Sequence, residues 1–152
     1  MLMNLSHAVK TIRLKVDGTN WTGAAGTTDL TSESVDMQGF HGVRFIIGLG
    51  AIVSGAVTSV YVRQGTDTAM SDGTALLASA QTIADSNDNG IFVTEIFRPR
   101  ERFLDVVTDR GTQNATVDFL LAELFSASQE PVTQHATVIG LEVHASPAEG
   151  AQ

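Results

Sequence analysis

The sequence predicts an all-β protein: a single antiparallel β-sandwich or jelly roll with extended N- and C-terminal arms. Three observations predict it. Runs rich in β-branched and aromatic residues recur at residues 11–16, 43–47, 58–64, 91–97, 103–108 and 116–125. Turn signals separate them, as at Asp17-Gly18, at Gln38-Gly39 and across residues 109–114. Helix-friendly composition occurs in one place, residues 74–84. With the weaker candidates the count reaches roughly seven to nine strands, the number a two-sheet sandwich needs. Patterning assigns strand faces and not strand neighbours, so sandwich and jelly roll both stay open.

Residues 39–65 organise the chain. Two strand-like runs, 43–47 and 58–64, flank a linker of Gly, Ala and Ser that carries Gly48, Gly50 and Gly55. Glycine inside an apolar stretch marks a bend, a bulge or close backbone approach. The expectation is two central strands joined by a wide apolar turn.

The other elements follow in order. Residues 1–8 form an N-terminal arm. Ile12, Leu14 and Val16 alternate with polar residues, the pattern of a half-buried antiparallel strand. Residues 18–31 are mostly small and polar, which predicts a loop packed down by Trp21. Residues 33–37 form a short strand with Val35 and Met37 on one side. Residues 74–84 suit a single helical turn and then a short strand near Thr82. Residues 91–97 and 103–108 are strands, with Pro99 in the connection because it donates to no ladder. Residues 116–125 are the last core strand, alternating loosely around Val117, Phe119, Leu121 and the pair Leu124 and Phe125. The sandwich spans residues 9–126. Residues 127–152 form a C-terminal arm, in which 137–143 suit one added strand and 145–152 suit disorder or an extended arm.

Composition narrows the function classes. A chain of 152 residues fits one domain and buries roughly 70% of its unfolded surface. Without cysteine there is no disulfide and no thiolate metal site. A net charge of -8 disfavours nucleic acid and anionic membranes. No apolar window predicts a membrane helix, and the first residues lack the pattern of a secretory signal.

Motifs for chemistry are sparse. Asp85, Asn87 and Asn89 begin a calcium-loop pattern, with oxygen ligands at alternate positions suited to a hard cation. The twelfth position is Ile96 instead of Glu, and Asp, Asn and Gly also build plain turns. His7, His41, His135 and His144 lack metal-pair spacing. There is no nucleophile elbow and no dinucleotide fingerprint. The expectation is no catalytic residue, no cofactor and no resident metal. Arg98, Arg100 and Arg102 are the most distinctive charged group and share a face if extended. Their repulsion is answered within the chain by Glu101, Asp105 and Asp109, or by an acidic neighbouring subunit. These arginines, with Pro131 in the C-terminal arm, are the interface candidates.

The chain resembles a known family. Val35-Asp36-Met37-Gln38-Gly39-Phe40 before Val43-Arg44-Phe45, then Gly48-Leu49-Gly50 and Val60-Tyr61-Val62-Arg63-Gln64-Gly65, is similar to small proteins of tailed-phage structural modules. So are Phe97-Arg98-Pro99-Arg100-Glu101-Arg102-Phe103 and the tail from Pro131 to Val138. These resemble capsid decoration, or head cement, proteins. The resemblance implies a small sandwich or jelly-roll subunit, commonly a homotrimer, on the outer capsid surface of a virion assembled in the host cytoplasm. Its partner would be the major capsid protein, whose neighbouring copies it clamps. Extended arms suit that role, because they add strands to exposed sheet edges. The alternative is a carbohydrate-binding sandwich module of a virion, built from Trp21, Tyr61 and residues 85–90.

Overall fold

The computed structural model describes residues 4–55, 58–111, 115–144 and 149–150. The chain opens with a one-turn helix, α1 (Leu5–Ala8), whose N-cap Asn4 accepts a hydrogen bond from the Ser6 N–H. Eleven strands follow among the described residues. They are β1 (Lys10–Leu14), β2 (Gly23–Gly26), β3 (Leu30–Thr31), β4 (Val35–Asp36), β5 (Phe40–Ile52) and β6 (Thr58–Gly65). Then come β7 (Thr74–Ala75), β8 (Gln81–Ile83), β9 (Ile91–Phe97), β10 (Phe103–Arg110) and β11 (Ala115–Ala127). A 3₁₀ turn, Asp85–Asn87, sits between β8 and β9. No helix among the described residues is long and apolar enough to cross a membrane.

The strands form two antiparallel sheets. One runs β1-β11-β5-β9, with β2 also on β11. The other runs β3-β10-β6-β7, with β4 also on β10 and β8 also on β6. β1 and β2, β3 and β4, and β7 and β8 each share one strand position. Counting eight positions along the chain, the sheets then read 1-8-3-6 and 2-7-4-5, the double Greek key of a jelly roll. Successive long strands from β5 to β6, and from β8 through β9 and β10 to β11, change sheet. The core lies between the two inner faces, as that winding requires. Val43, Phe45, Ile47 and Leu49 of β5 meet Val60, Val62, Leu104 and Val106 of the other sheet there, all nearly fully buried.

Several predicted elements change in the tertiary context. Residues 39–65 do not hold two neighbouring strands. β5 continues through Gly48 and Gly50 for 13 residues, with a register irregularity against β11 between Leu49 and Ile52 that fits the bulge expected of these glycines, and β6 belongs to the opposite sheet. The glycines do not end β5, because side chains of β11 occupy the space a Cβ would need: Phe119 at Gly48, Phe125 at Gly42, and Thr116 with Asp118 at Gly50. A Cβ at Gly48 would lie 2.2 Å from the Phe119 ring, and one at Gly42 would lie 2.2 Å from Phe125. The phase of β11 also differs from the prediction. The register between β5 and β11 shifts on both sides of Val117. Val117 therefore points inward, but so do Leu120, Ala122 and Leu124, while Phe119 and Leu121 turn to the outer face. The predicted loop at 18–31 contains β2 and β3, which extend the sheets at two corners. Residues 74–84 hold two short strands and no helical turn, and Thr82 lies in β8 as expected. Residues 137–143 add no regular strand. Residues 112–114 of the predicted hairpin turn, and 145–148 and 151–152 of the predicted disordered tail, lie outside the described residues.

Candidate interaction surfaces

The outer face of the five-stranded sheet is unusually apolar. Directly paired residues share a face, so the register lays out its rows. Phe97, Gly42 and Phe125 form the first row, with the two rings stacked across the glycine at 6.4 Å and 3° between their planes. Glu95, Arg44 and Glu123 form the second. Val93, Ile46 and Leu121 form the third, and Ile91, Gly48 and Phe119 the fourth. Ile91, Val93 and Phe97 remain 62%, 47% and 57% exposed. Arg44 binds Glu123 at 2.9 Å, leaving Glu95 as the outer carboxylate of the charged row. The core between the two inner faces does not require these exposed apolar side chains.

At one end of that face lie the three arginines. They are not on one extended face: β9 stops at Phe97 and β10 starts at Phe103, so Arg98, Arg100 and Arg102 occupy the connection. Arg98 has a positive φ of 52° and lies over the Phe97 ring at 5.2 Å. The backbone N–H of Arg100 donates to Gln64 Oε1. Arg102 makes a two-pronged pair with Asp36, at 2.8 and 2.7 Å, and also donates to Gln38. Asp36 was not among the acidic partners expected from sequence. Asp105, which was, is 1% exposed and is held by Arg63 through two hydrogen bonds. Among the described residues no carboxylate lies within ion-pair distance of Arg98 or Arg100. The two flank an open cleft of about 430 Å³ with Met37, Phe40 and His41.

The hydrogen bond from Arg102 holds the Asp36 carboxyl below its ordinary value of 3.8, against the opposing effect of partial burial. A depressed carboxylate pKa stabilises the fold above the unfolded value and loses that contribution as pH falls through the native one. Both side chains are about half exposed, so the contribution is small. Arg102→Gln is expected to melt slightly below the wild type at pH 7, with the gap closing as pH drops below 3.8. Thermal melts across that range check it, and a gap that widens in acid would contradict the pairing.

The residues of the calcium-like loop face backbone groups. Asp85 accepts from the Gly55 N–H at 2.6 Å, Asp88 from the Ile52 N–H at 2.5 Å, and Asn87 from the Ala84 N–H at 2.8 Å. Asn89 takes a positive φ of 58° and its N–H donates to the Gly50 carbonyl. The loop thus pins the end of β5 to the approach to β9. Among the described residues no group of three or more His, Asp or Glu is placed to hold a metal ion. Trp21 is 41% exposed and lies against the cationic ends of Arg13 and Lys15, at 5.5 and 5.7 Å. Tyr61 sits in β6 of the opposite sheet, so the structure does not assemble Trp21, Tyr61 and residues 85–90 on one element.

No family model matches the chain, and no curated protein matches it. Among solved structures it is similar to a chain from the disulfide-linked pili of Bacillus endospore appendages. Identity is 13%, the match covers 80% of this chain and 91% of that one, and the TM-score is 0.47.

The two edges of the five-stranded sheet are treated differently. At the β1 edge the chain caps itself. The Thr11 N–H donates to Gln134 Oε1 at 2.9 Å, the Arg13 N–H to Thr137 Oγ1 at 3.0 Å, and the Lys15 N–H to Glu33 Oε1 at 3.0 Å. Gln134 also donates to the Ser6 and Val9 carbonyls, and the Val132 N–H donates to the His7 carbonyl. The exposed Pro131 opens this segment after a cis peptide bond. Sequence reading did not single out Gln134 or Thr137, because side chains that imitate a strand partner leave no periodic signal. At the β9 edge one such contact occurs among the described residues. Residues 92, 94 and 96 pair with β5, so the N–H and C=O groups of 91, 93, 95 and 97 point away from the sheet. Of these, the Val93 carbonyl accepts from Gln81 Nε2.

Proposed function

We propose that this chain is a non-enzymatic structural protein of a tailed-phage virion, which decorates the capsid and bridges neighbouring copies of the major capsid protein as a homotrimer. The observation that carries the reading is the exposed apolar face formed by Ile91, Val93, Phe97, Ile46 and Leu121, bordered by Arg98 and Arg100. Apolar area with charged residues at its rim is the makeup of a protein-binding surface. The jelly-roll winding supports it as an analogy, since viral capsid domains share that architecture. Bridging sums several weak contacts into strong retention on a lattice. The major capsid protein would supply carboxylates to Arg98 and Arg100 and apolar side chains to the sheet face.

The test is cosedimentation with undecorated heads of the phage that encodes the chain. Wild-type protein is expected to saturate the heads at a fixed ratio to the capsid protein. Ile91→Asp with Arg98→Glu is expected to weaken binding by at least about 10-fold without changing the melting temperature, since both side chains are exposed. Wild-type protein that stays in the supernatant would refute the reading.

A further inference from the structure

The asymmetry between the two sheet edges has a complement elsewhere in the chain. Beyond Thr137 the segment Val138-Ile139-Gly140-Leu141-Glu142-Val143 carries apolar residues at every second position from Ile139. That is the pattern of a strand with one apolar face. Yet among the described residues the backbone of 139–143 makes no hydrogen bond, and Ile139, Leu141 and Val143 are 99%, 52% and 54% exposed. A strand sequence without a ladder thus coexists with a ladder edge without a strand.

We infer that residues 138–143 of one copy add as a strand to the β9 edge of a second copy. The outward N–H and C=O groups at 91, 95 and 97 and the Val93 N–H would gain partners, which is the main energetic return of strand addition. Ile139, Leu141 and Val143 would continue the apolar outer face beside Ile91, Val93 and Phe97. Gly140 and Glu142 would turn to the inner side. There an open cleft of about 720 Å³ lies between β9 and the 75–81 connection, lined by Arg100, Gln64 and Gln81. Among the described residues Arg100 has no carboxylate within ion-pair distance, and the one ion-pair partner of Glu142 is His144, at 3.0 Å on the surface. Their charges match.

The donor has to be a second copy. Thr137 is fastened to β1, and β9 lies three strand spacings away, about 14 Å. Ile139 reaches at most about 7 Å beyond Thr137. Crossing its own sheet would consume the residues that have to pair. The contact is therefore head-to-tail, which closes into a ring or runs on as a filament. A ring of three would be the trimer of the capsid reading, but the inference concerns copies of this chain alone and goes beyond that reading. Wild-type protein that binds heads yet does not self-associate would defeat it and leave the capsid reading standing.

The experiment is light scattering of the full chain over a range of about 1 µM to 1 mM, with five variants. Wild-type protein is expected to exceed the mass of one chain. Ile139→Asp with Val143→Asp is expected to weaken association at least about 100-fold, as two apolar side chains are lost from the joined face. Val93→Pro should do the same, because it removes an N–H that β5 does not use. Melting curves identify any variant that is not folded, and the exposed tail pair stands as the test if Val93→Pro unfolds. Arg100→Glu and Glu142→Arg should each weaken association and together restore it. Wild-type protein with the mass of one chain throughout would overturn the inference. So would association that survives the tail substitutions, as pairing of two β9 edges would, or a double charge reversal that restores nothing.

Discussion

Arg63→Met is expected to cost about 3–5 kcal/mol, because it strands the carboxylate of Asp105 inside the protein. Asp105 lies on β10 directly opposite Arg63 on β6 and is 1% exposed. The guanidinium binds both carboxylate oxygens, at 3.0 and 2.5 Å, and those bonds raise the affinity of Arg63 for its proton against the desolvation that opposes it. A buried pair of this kind adds modest net stability over apolar residues of the same shape, since the desolvation of both charges offsets their attraction. Removing one partner leaves all of the desolvation and none of the attraction. The double substitution Arg63→Met with Asp105→Leu is therefore expected to recover to within about 1 kcal/mol of the wild type. Urea unfolding of the single and double variants checks both numbers. A single variant as stable as the wild type would show that the carboxylate is not sealed by this pairing.

Arg110→Leu is expected to be comparably damaging, at about 3 kcal/mol or more, for a different reason. Arg110 ends β10 and is 4% exposed, yet among the described residues no carboxylate receives its guanidinium. Three main-chain carbonyls do instead: Thr28 at 2.8 Å, Ala24 at 2.5 Å and Ala115 at 2.9 Å. Burial lowers its pKa, and the charges of Asp29 and Asp17 partly offset this. One side chain thus ties β2, the 27–29 turn, and the start of β11 to the end of β10. Leucine of similar reach leaves three acceptors unsatisfied in a place water does not fill. Arg110→Lys supplies fewer directed donors and should fall between the two. Hydrogen exchange at β2 and at the first residues of β11 is the sharper readout, with protection lost there before the rest of the sheet. Uniform loss across both sheets would mean that Arg110 acts as core filler and not as a clamp.

These two arginines show where sequence reading stops. Arg110 stands in Asp109-Arg110-Gly111, which reads as a turn, and Arg63 reads as a solvated strand residue. Local composition describes both correctly as polar. What it lacks is the neighbour: Asp105 is 42 residues from Arg63, and Thr28 is 82 residues from Arg110. The arginine cluster at 98–102 illustrates the same limit. Its presence was plain in the sequence, but its internal partner, Asp36, lies 66 residues away from Arg102 across a sheet corner. The sequence marks Gly48 and Gly50 as places of a bend, a bulge or close approach. That Gly48 receives Phe119 from β11, and that Gly42, which it does not mark, receives Phe125, depends on a register that the sequence does not display.

What the sequence determined by itself is the all-β class and the positions of its long strands. Residues 91–97 appear as β9 without change, and residues 58–64 and 103–108 appear as β6 and β10 with small extensions. Period-two alternation and β-branched side chains act locally, so they are legible locally. The tertiary structure decided the winding into 1-8-3-6 and 2-7-4-5, the passage of β5 through its glycines and the reversal of face within β11. It also decided which sheet edge the chain caps and which it leaves open. Each of these is a choice of partner between strands far apart in sequence. Alternation states which side of a strand is buried; only packing of the whole chain states against what.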